Sequence, residues 1–349
     1  MFLKNKIYLL ILGIMCCNVL IAKVPAIEIL EQGRKTSIRG MSVVNDSTIW
    51  VSGSGGSVGN SMDGGKTWNW ITVAGYEKRD FRDIEAFDKK TAIIIAVGEP
   101  GIILKTKNGG KTWYKVFQDN TKGVFLDAMD FAGKKGYVIG DPLDQHLYLV
   151  TTKDGGENWV KTKPSNKTKF FAGTEAFFAS SGTNIVAGKK LLKNKILFVS
   201  GGSTTRLFTL PQDPIIPDGL PIVMGGDSRG ANSIAISPSE KYGMIVGGDF
   251  AIDSISSANS AKIVFQKTYN EINSPQIPPH GYRSCVIFMD DKNLITCGTS
   301  GVDISKDGGM NWELISNESF HVVQKAKKGN AVFLAGKGGR IAKFNPTIQ

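Results

Sequence analysis

The sequence predicts an all-β protein: a seven-bladed β-propeller of four-stranded antiparallel blades, its ring closed by the N-terminal strand. Three observations predict it. A phrase recurs as Ser61-Met-Asp63-Gly-Gly65-Lys-Thr-Trp68, Thr106-Lys-Asn108-Gly-Gly110-Lys-Thr-Trp113, Thr152-Lys-Asp154-Gly-Gly156-Glu-Asn-Trp159 and Ser305-Lys-Asp307-Gly-Gly309-Met-Asn-Trp312. The first three copies begin at residues 61, 106 and 152, a spacing of about 45 residues, which is the length of one propeller blade. The chain also holds 41 glycines in 349 residues and little helical periodicity, which point to many strands joined by tight turns.

Each copy follows a β-prone run such as Ile102-Ile103-Leu104 and ends in a Trp that opens another, such as Trp113-Tyr-Lys-Val-Phe117. The phrase is therefore the turn of a hairpin. Asp or Asn bonds its own backbone two residues on, and Gly supplies positive φ. The Trp returns the chain to a strand and offers an apolar plate to bury between units. The pattern resembles the Asp-box, or BNR repeat. That resemblance implies a hairpin between the third and fourth strands of a blade, away from the ligand face, with no chemistry of its own.

Seven units can be read, each as inner strand, second strand ending at Gly, third strand, turn and outer strand. They run from Ile38 to about Val73, Phe81 to Phe117, Phe125 to Lys161, Glu175 to Leu210, Ala231 to Ile272, Arg283 to Ile315, and His321 to Phe344. Blades four and five lack the box, and Ser203-Thr-Thr-Arg206 is placed near the lost turn of blade four. Blade seven lacks a fourth strand. Residues 26–32, with Ile27-Glu-Ile-Leu30, are expected to supply it, since a ring closed that way leaves no exposed edge. Pro211 to Pro221 and Pro275 to Pro279 read as inter-blade loops, so residues 23–349 form one domain.

Residues 1–22 read as a secretory signal: basic Lys4 and Lys6, an apolar run from Ile7 to Met15, and cleavage near Ala22 or Ala26. The run is short for a membrane span. Met15 before Cys16 is not the small residue of a lipoprotein site. The mature chain is expected to be exported, periplasmic or extracellular, and monomeric. Loss of residues 1–22 removes two lysines and no acids, lowering the net charge from +11 to +9. A basic excess favours acidic partners or anionic surfaces; in an exported chain it argues weakly for nucleic acid, and none is expected. Cys285 and Cys297 flank the turn Asp290-Asp291-Lys292-Asn293 and can sit opposite each other, as a disulfide or as two buried thiols. No Cys/His zinc spacing exists, and no metal or cofactor is expected.

The starts of inner strands and the ends of second strands share one face of a propeller. Near inner-strand starts stand Arg39, Arg82 with Asp83, Glu175, Arg229, and Arg283 beside Tyr282. After second strands come Glu99, Asp141 and Asp249. Arginines at equivalent positions of four blades would aim several guanidiniums at one mouth, suited to carboxylate or phosphate. A ring of Arg–carboxylate pairs that seals the channel is the other reading. The ligand-binding candidates are thus Arg39, Arg82, Asp83, Arg229, Tyr282 and Arg283.

Phe81-Arg-Asp-Ile … Gly98 … Gly101-Ile-Ile-Leu-Lys-Thr … Asn108-Gly-Gly-Lys-Thr-Trp113 resembles the photosystem II stability/assembly-factor-like propellers. So do Gly140-Asp-Pro, Gly247-Gly-Asp249 and Gly281-Tyr-Arg-Ser284 … Gly298-Thr-Ser-Gly301-Val-Asp-Ile-Ser305. The resemblance covers the mature chain and implies a seven-bladed exported propeller, in a branch often named an oxidoreductase or glycosyl hydrolase. It implies an arginine-bearing docking surface for a partner protein, matched in kind by Arg39, Arg82, Arg229 and Arg283. Sialidases share the Asp-box, but their Arg-Ile-Pro is absent: Phe81-Arg82-Asp83-Ile84 stands instead. Gly53-Ser-Gly55-Gly56-Ser-Val-Gly59 has no following helix to make a dinucleotide site. The expectation is a non-catalytic scaffold for a protein or glycan with acidic groups. The alternative is a glycoside hydrolase using two of Glu99, Asp141, Glu175 and Asp249.

Overall fold

A computed structural model describes residues 26–171, 173–267 and 269–346. Residues 1–22, expected to be a signal, lie outside the described residues. The first strand, β1 (Ala26–Glu31), stands apart from blade one. Blade one is β2 (Ile38–Val43), β3 (Ile49–Gly53), β4 (Ser57–Ser61) and β5 (Asn69–Thr72). Blade two is β6 (Phe81–Ala86), β7 (Ala92–Ala96), β8 (Gly101–Thr106) and β9 (Tyr114–Asp119). Blade three is β10 (Leu126–Ala132), β11 (Lys135–Leu143), β12 (His146–Thr152) and β13 (Val160–Lys161). Blade four is β14 (Ile185–Ala187), β15 (Ile196–Val199), β16 (Arg206–Leu210) and β17 (Asp218–Gly219). Blade five is β18 (Arg229–Ile236), β19 (Tyr242–Asp249), β20 (Ser260–Phe265) and β21 (Asn270–Asn273). Blade six is β22 (Cys285–Phe288), β23 (Leu294–Gly298), β24 (Gly301–Ser305) and β25 (Glu313–Ser316). Blade seven is β26 (Val322–Lys325), β27 (Val332–Ala335) and β28 (Ile341–Asn345), completed by β1.

The seven sheets are antiparallel throughout. β1 pairs with β28 from Ala26↔Asn345 to Glu31↔Ile341, so the two chain ends close the ring as the sequence predicts. Second strands such as Ile49–Gly53 and Ala92–Ala96 are wholly buried, because each sheet is covered on both faces by its neighbours; hence the continuous apolar run Ala92-Ile-Ile-Ile-Ala96. Side chains also bond across blades. Ser42 Oγ accepts the Ala86 amide at 2.9 Å, Asp83 Oδ2 the Met129 amide at 2.7 Å, Asp130 Oδ2 the Ala187 amide at 2.6 Å, and Ser233 Oγ the Val286 amide at 3.1 Å.

The four boxes are third-to-fourth-strand turns. In the first, Ser61 Oγ donates to Asp63 Oδ1 and accepts the Gly65 amide, both at 2.9 Å. Asp63 Oδ1 also accepts the Thr67 amide at 2.9 Å, and Trp68 Nε1 donates to the Gly65 carbonyl at 3.1 Å. The Thr67 hydroxyl and amide hold the Asp63 carboxyl down to about 2. The second Gly of each box leans on the preceding blade: Gly110 faces Ile71 and Trp50, Gly156 faces Ile93, and Gly309 faces Met244. The box is thus an inter-blade wedge.

Blade four departs from the sequence reading. Its inner strand starts at Ile185, not near Glu175, and it reaches Gly219 rather than ending at Leu210. Ser203 to Arg206 is the turn between second and third strands, on the opposite face from the boxes; the third-to-fourth turn is residues 211–217. Cys285 and Cys297 are direct cross-strand partners but are free, buried thiols. The Gly53–Gly59 loop is a strand-to-strand turn.

Candidate functional site

The segment Ala176–Asn184 precedes blade four's inner strand and bonds to five other blades. Phe177 N donates to Asp141 of blade three at 2.9 Å. The Ala179 carbonyl accepts from Arg82 of blade two at 3.4 Å, and the Ser180 carbonyl from Arg39 of blade one at 3.2 Å. Ser181 Oγ donates to the Ser284 carbonyl of blade six at 2.7 Å, and Thr183 Oγ1 to Ser233 Oγ of blade five at 2.7 Å. Only a segment lying on the ring axis can reach all of these. The central channel is therefore plugged from the face where inner strands begin.

Register decides which residues meet the plug. In blades one, two, three and five the inner strand bulges by one residue, at Arg39, Arg82, Asp127 and Asn232. Amide bonds to the preceding blade align Ile38, Ala231 and Arg283 with one another. Ser284 and His321 thus share the position of Arg39 in blades six and seven. The four arginines are therefore not equivalent, contrary to the sequence expectation: only Arg39 and Arg82 occupy the axial position.

Arg39 and Arg82 lie close together. Burial first, then the Arg82 charge, lowers the Arg39 pKa. Arg82 Nε is paired with Asp80 at 2.9 Å, both side chains part-exposed. Arg39 forms no ion pair among the described residues. His321 Nδ1 lies 3.0 Å from the Ile38 carbonyl, which makes it the donor nitrogen. Burial, with Arg39 and Arg82 adding to it, lowers its pKa to about 4. Asp127 is fully buried; burial first, then the Asp141 charge, raises its pKa well above the ordinary value, opposed by the Arg82 charge and by the Asp141 and Ala179 amides.

The other candidates stand elsewhere. Arg283 is fully buried: Nε donates to Asp303 Oδ2 at 2.6 Å, and Nη2 pairs with the same oxygen. It fills a position that Ile38, Phe81, Leu126 and Ala231 fill in other blades, so it is a core residue and not a ligand contact. Asp83 is an inter-blade pin whose pKa burial raises well above the ordinary value. Tyr282 is buried, donates to Asn232 Oδ1 at 2.8 Å, and is pushed up to about 12 by burial. Arg229 is part-exposed but paired with Asp249 at 2.9 Å.

The four hydrolytic candidates are all engaged. Glu99 Oε1 accepts the Gly123 amide at 2.6 Å, and Asp141 Oδ1 accepts the Phe177 amide at 2.9 Å. Glu175 is buried in an ion pair with Arg206 and accepts from Ser200 Oγ at 2.5 Å. Asp249 holds Arg229, Ser228 Oγ and the Ala251 amide. None of the four lines the cavity on the box side of the plug.

Sequence reasoning missed the apolar part of this face. Phe250, Ile252 and Ile255, in the β19–β20 loop, and Met224, in the loop before blade five, are exposed. Phe250 meets Phe178 of the plug and Tyr282 edge-on, with ring centroids 6.0 and 6.2 Å apart. Exposed Phe and Ile in the loop that follows Asp249 are the signal that was available. A cavity of about 410 Å³ lies on the box side of the plug, lined by Glu85, Asp130, Gly182, Thr183 and Lys327. Lys327 pairs with Glu85 there at 2.7 Å.

With the fold and this face in view, likenesses to known proteins can be placed. Residues 24–122 and 96–169 match the family described as photosynthesis system II assembly factor YCF48. Over its first three blades the chain is thus similar to the photosystem II assembly-factor propellers. Photosystem II stability/assembly factor HCF136, chloroplastic, of Oryza sativa subsp. japonica is 33% identical over 69 residues. That match spans 19% of this chain and only 16% of the rice protein. A structure of YCF48 bound to D1 peptide is 15% identical with a TM-score of 0.62, covering 94% of this chain and 96% of that one. YCF48 from Cyanidioschyzon merolae is 17% identical with a TM-score of 0.61, covering 92% and 99%. The WD40 β-propeller domain of Doa1 is 13% identical with a TM-score of 0.59, covering 92% and 97%. At these identities the structures show the fold alone.

Proposed function

We propose that this chain is an exported, non-catalytic scaffold that holds an acidic peptide segment of a partner protein against Arg39 and Arg82. The observation that carries the reading is Arg39: a part-buried guanidinium, crowded by a second one and without a carboxylate partner among the described residues. An incoming carboxylate would relieve that repulsion and form a charge-assisted pair. The exposed Phe250, Ile252 and Ile255 add apolar contact suited to a peptide more than to an acidic glycan. The D1 peptide held by a YCF48 of the same fold supports a protein partner. The engaged state of Glu99, Asp141, Glu175 and Asp249 weighs against hydrolysis. Export rests on the basic-then-apolar N-terminus, and N-terminal sequencing of the mature chain tests it.

The test is a pull-down from envelope extract beside a glycan array, with Arg39→Gln and Arg82→Gln variants whose melting is unchanged. A lost charge-assisted pair should weaken partner binding roughly tenfold to a hundredfold. Full binding by both variants, or glycan turnover lost on Asp141→Asn, defeats the proposal.

A further inference from the structure

The fold sorts its two kinds of cation onto opposite faces. Every arginine of the chain stands in the inner-strand-start half or the loops of that face. No arginine stands in the box turns or in the inner-to-second-strand turns, which together make the other face. Those turns carry lysines instead. Exposed Lys-Lys pairs occur in the inner-to-second turns of four blades: Lys89-Lys90, Lys134-Lys135, Lys189-Lys190 and Lys327-Lys328. The box turns add exposed Lys66, Lys107, Lys111, Lys153 and Lys306.

Glu157 pairs with Lys105 and Lys107, but other carboxylates in these turns are bonded to backbone amides. Asp88 holds those of Lys90 and Thr91, Glu240 those of Lys189, Lys190 and Leu192, and Asp46 those of Asn330 and Ala331. Lys327 pairs with Glu85 and Lys107 with Glu157, and Lys190 and Lys135 donate to the Pro238 carbonyl and Asn194, while Lys66, Lys89, Lys90, Lys111, Lys134, Lys153, Lys189, Lys306 and Lys328 form no ion pair among the described residues. Among them rise three large apolar side chains on the same face: Leu191, 67% exposed, in the turn Lys189-Lys-Leu-Leu-Lys193; Ile216, 64%; and Tyr269, 64%. Apolar side chains framed by lysines are the composition of a surface that meets a charged interface and dips into it. Lysine suits this better than arginine's planar fork, because a diffuse anionic sheet needs point charge and not bidentate geometry.

We infer that the box face docks on the surface of an anionic phospholipid bilayer, leaving the arginine face directed away from it. The ring then lies flat, lysines at the headgroups, with Leu191, Ile216 and Tyr269 reaching the acyl boundary.

Flotation of the protein with phosphatidylcholine vesicles, with and without phosphatidylglycerol, tests this. Binding is expected only to the anionic vesicles, falling steeply between about 0.05 and 0.5 M salt. Lys189→Gln/Lys190→Gln/Lys193→Gln should weaken it about fivefold per lysine, about a hundredfold together. A second set, Lys89→Gln/Lys90→Gln/Lys134→Gln, should act alike if the first fails to fold. Leu191→Ser should weaken it further, while Arg39→Gln/Arg82→Gln should bind as the parent does. No anionic vesicle binding at low salt overturns the inference, as does equal binding to neutral vesicles. Retention on polyglutamate through these lysines, with no vesicle binding, overturns it in favour of an acidic polypeptide.

Discussion

Replacing Arg283 should damage the fold and not the binding face. Its guanidinium and the Asp303 carboxylate are both fully buried and paired, in a blade interior where blade two carries Phe81 and Leu104. Arg283→Ala leaves Asp303 buried with only the His280 amide and imidazole, at 3.2 and 3.0 Å. Breaking one side of such a pair costs about 3–5 kcal/mol. Removing both charges is a different perturbation: Arg283→Phe/Asp303→Leu copies blade two's apolar pair and should be neutral or stabilising by about 1–4 kcal/mol relative to the parent. The assay is urea denaturation followed by fluorescence of the six tryptophans, with midpoint and slope read for parent, single and double variants. A single variant that loses under about 1 kcal/mol, or a double variant less stable than the single one, refutes the claim that Arg283 is a core residue in polar dress. Partner binding lost by Arg283→Ala with an unchanged midpoint refutes it from the other side.

Three further outcomes are expected. Gly156→Ala should destabilise by roughly 2–3 kcal/mol in thermal melts, since φ there is +82° and a Cβ would stand 2.2 Å from Ile93 Cδ1; an unchanged melt would contradict the wedge role of the box. His321 is neutral in the fold, with its pKa lowered to about 4 by burial and the two arginines. The unfolded chain therefore binds its proton first, and about 3 kcal/mol of stability should disappear as pH falls from about 6.5 to about 4. The loss should be absent in His321→Gln, and an acidic ligand at Arg39 should raise the His321 value by NMR titration. Cys285 and Cys297, both buried and with pKa raised by burial, should resist alkylation in the native protein and both label in urea without reductant; a mass lower by two hydrogens would show a disulfide instead.

Much of the scaffold was legible because its physics is local. An Asp-box announces itself, since one hydroxyl, one carboxylate or amide, two glycines and an indole close a turn within eight residues. The closing strand was legible by subtraction, from a blade one strand short and an unassigned strand before Ile38. The site was less legible for two physical reasons. Which arginine faces the axis depends on a one-residue bulge, and Arg283 sits one place before the position that Arg39 and Arg82 occupy. The plug was read as the start of an inner strand because Glu175-Ala-Phe-Phe-Ala has strand-like composition. Its backbone bonds instead go outward to other blades, and no spacing in the sequence records such partners.

The plug makes this ring a floor between two rooms. Its carbonyls at Ala179 and Ser180 steady the two guanidiniums above, while Gly182 and Thr183 form the ceiling of the chamber below. The segment stands between the two faces, so what is grasped above can be felt below as a tilt of that floor. A molecule built this way offers two separate surfaces, which can be altered by mutation one at a time.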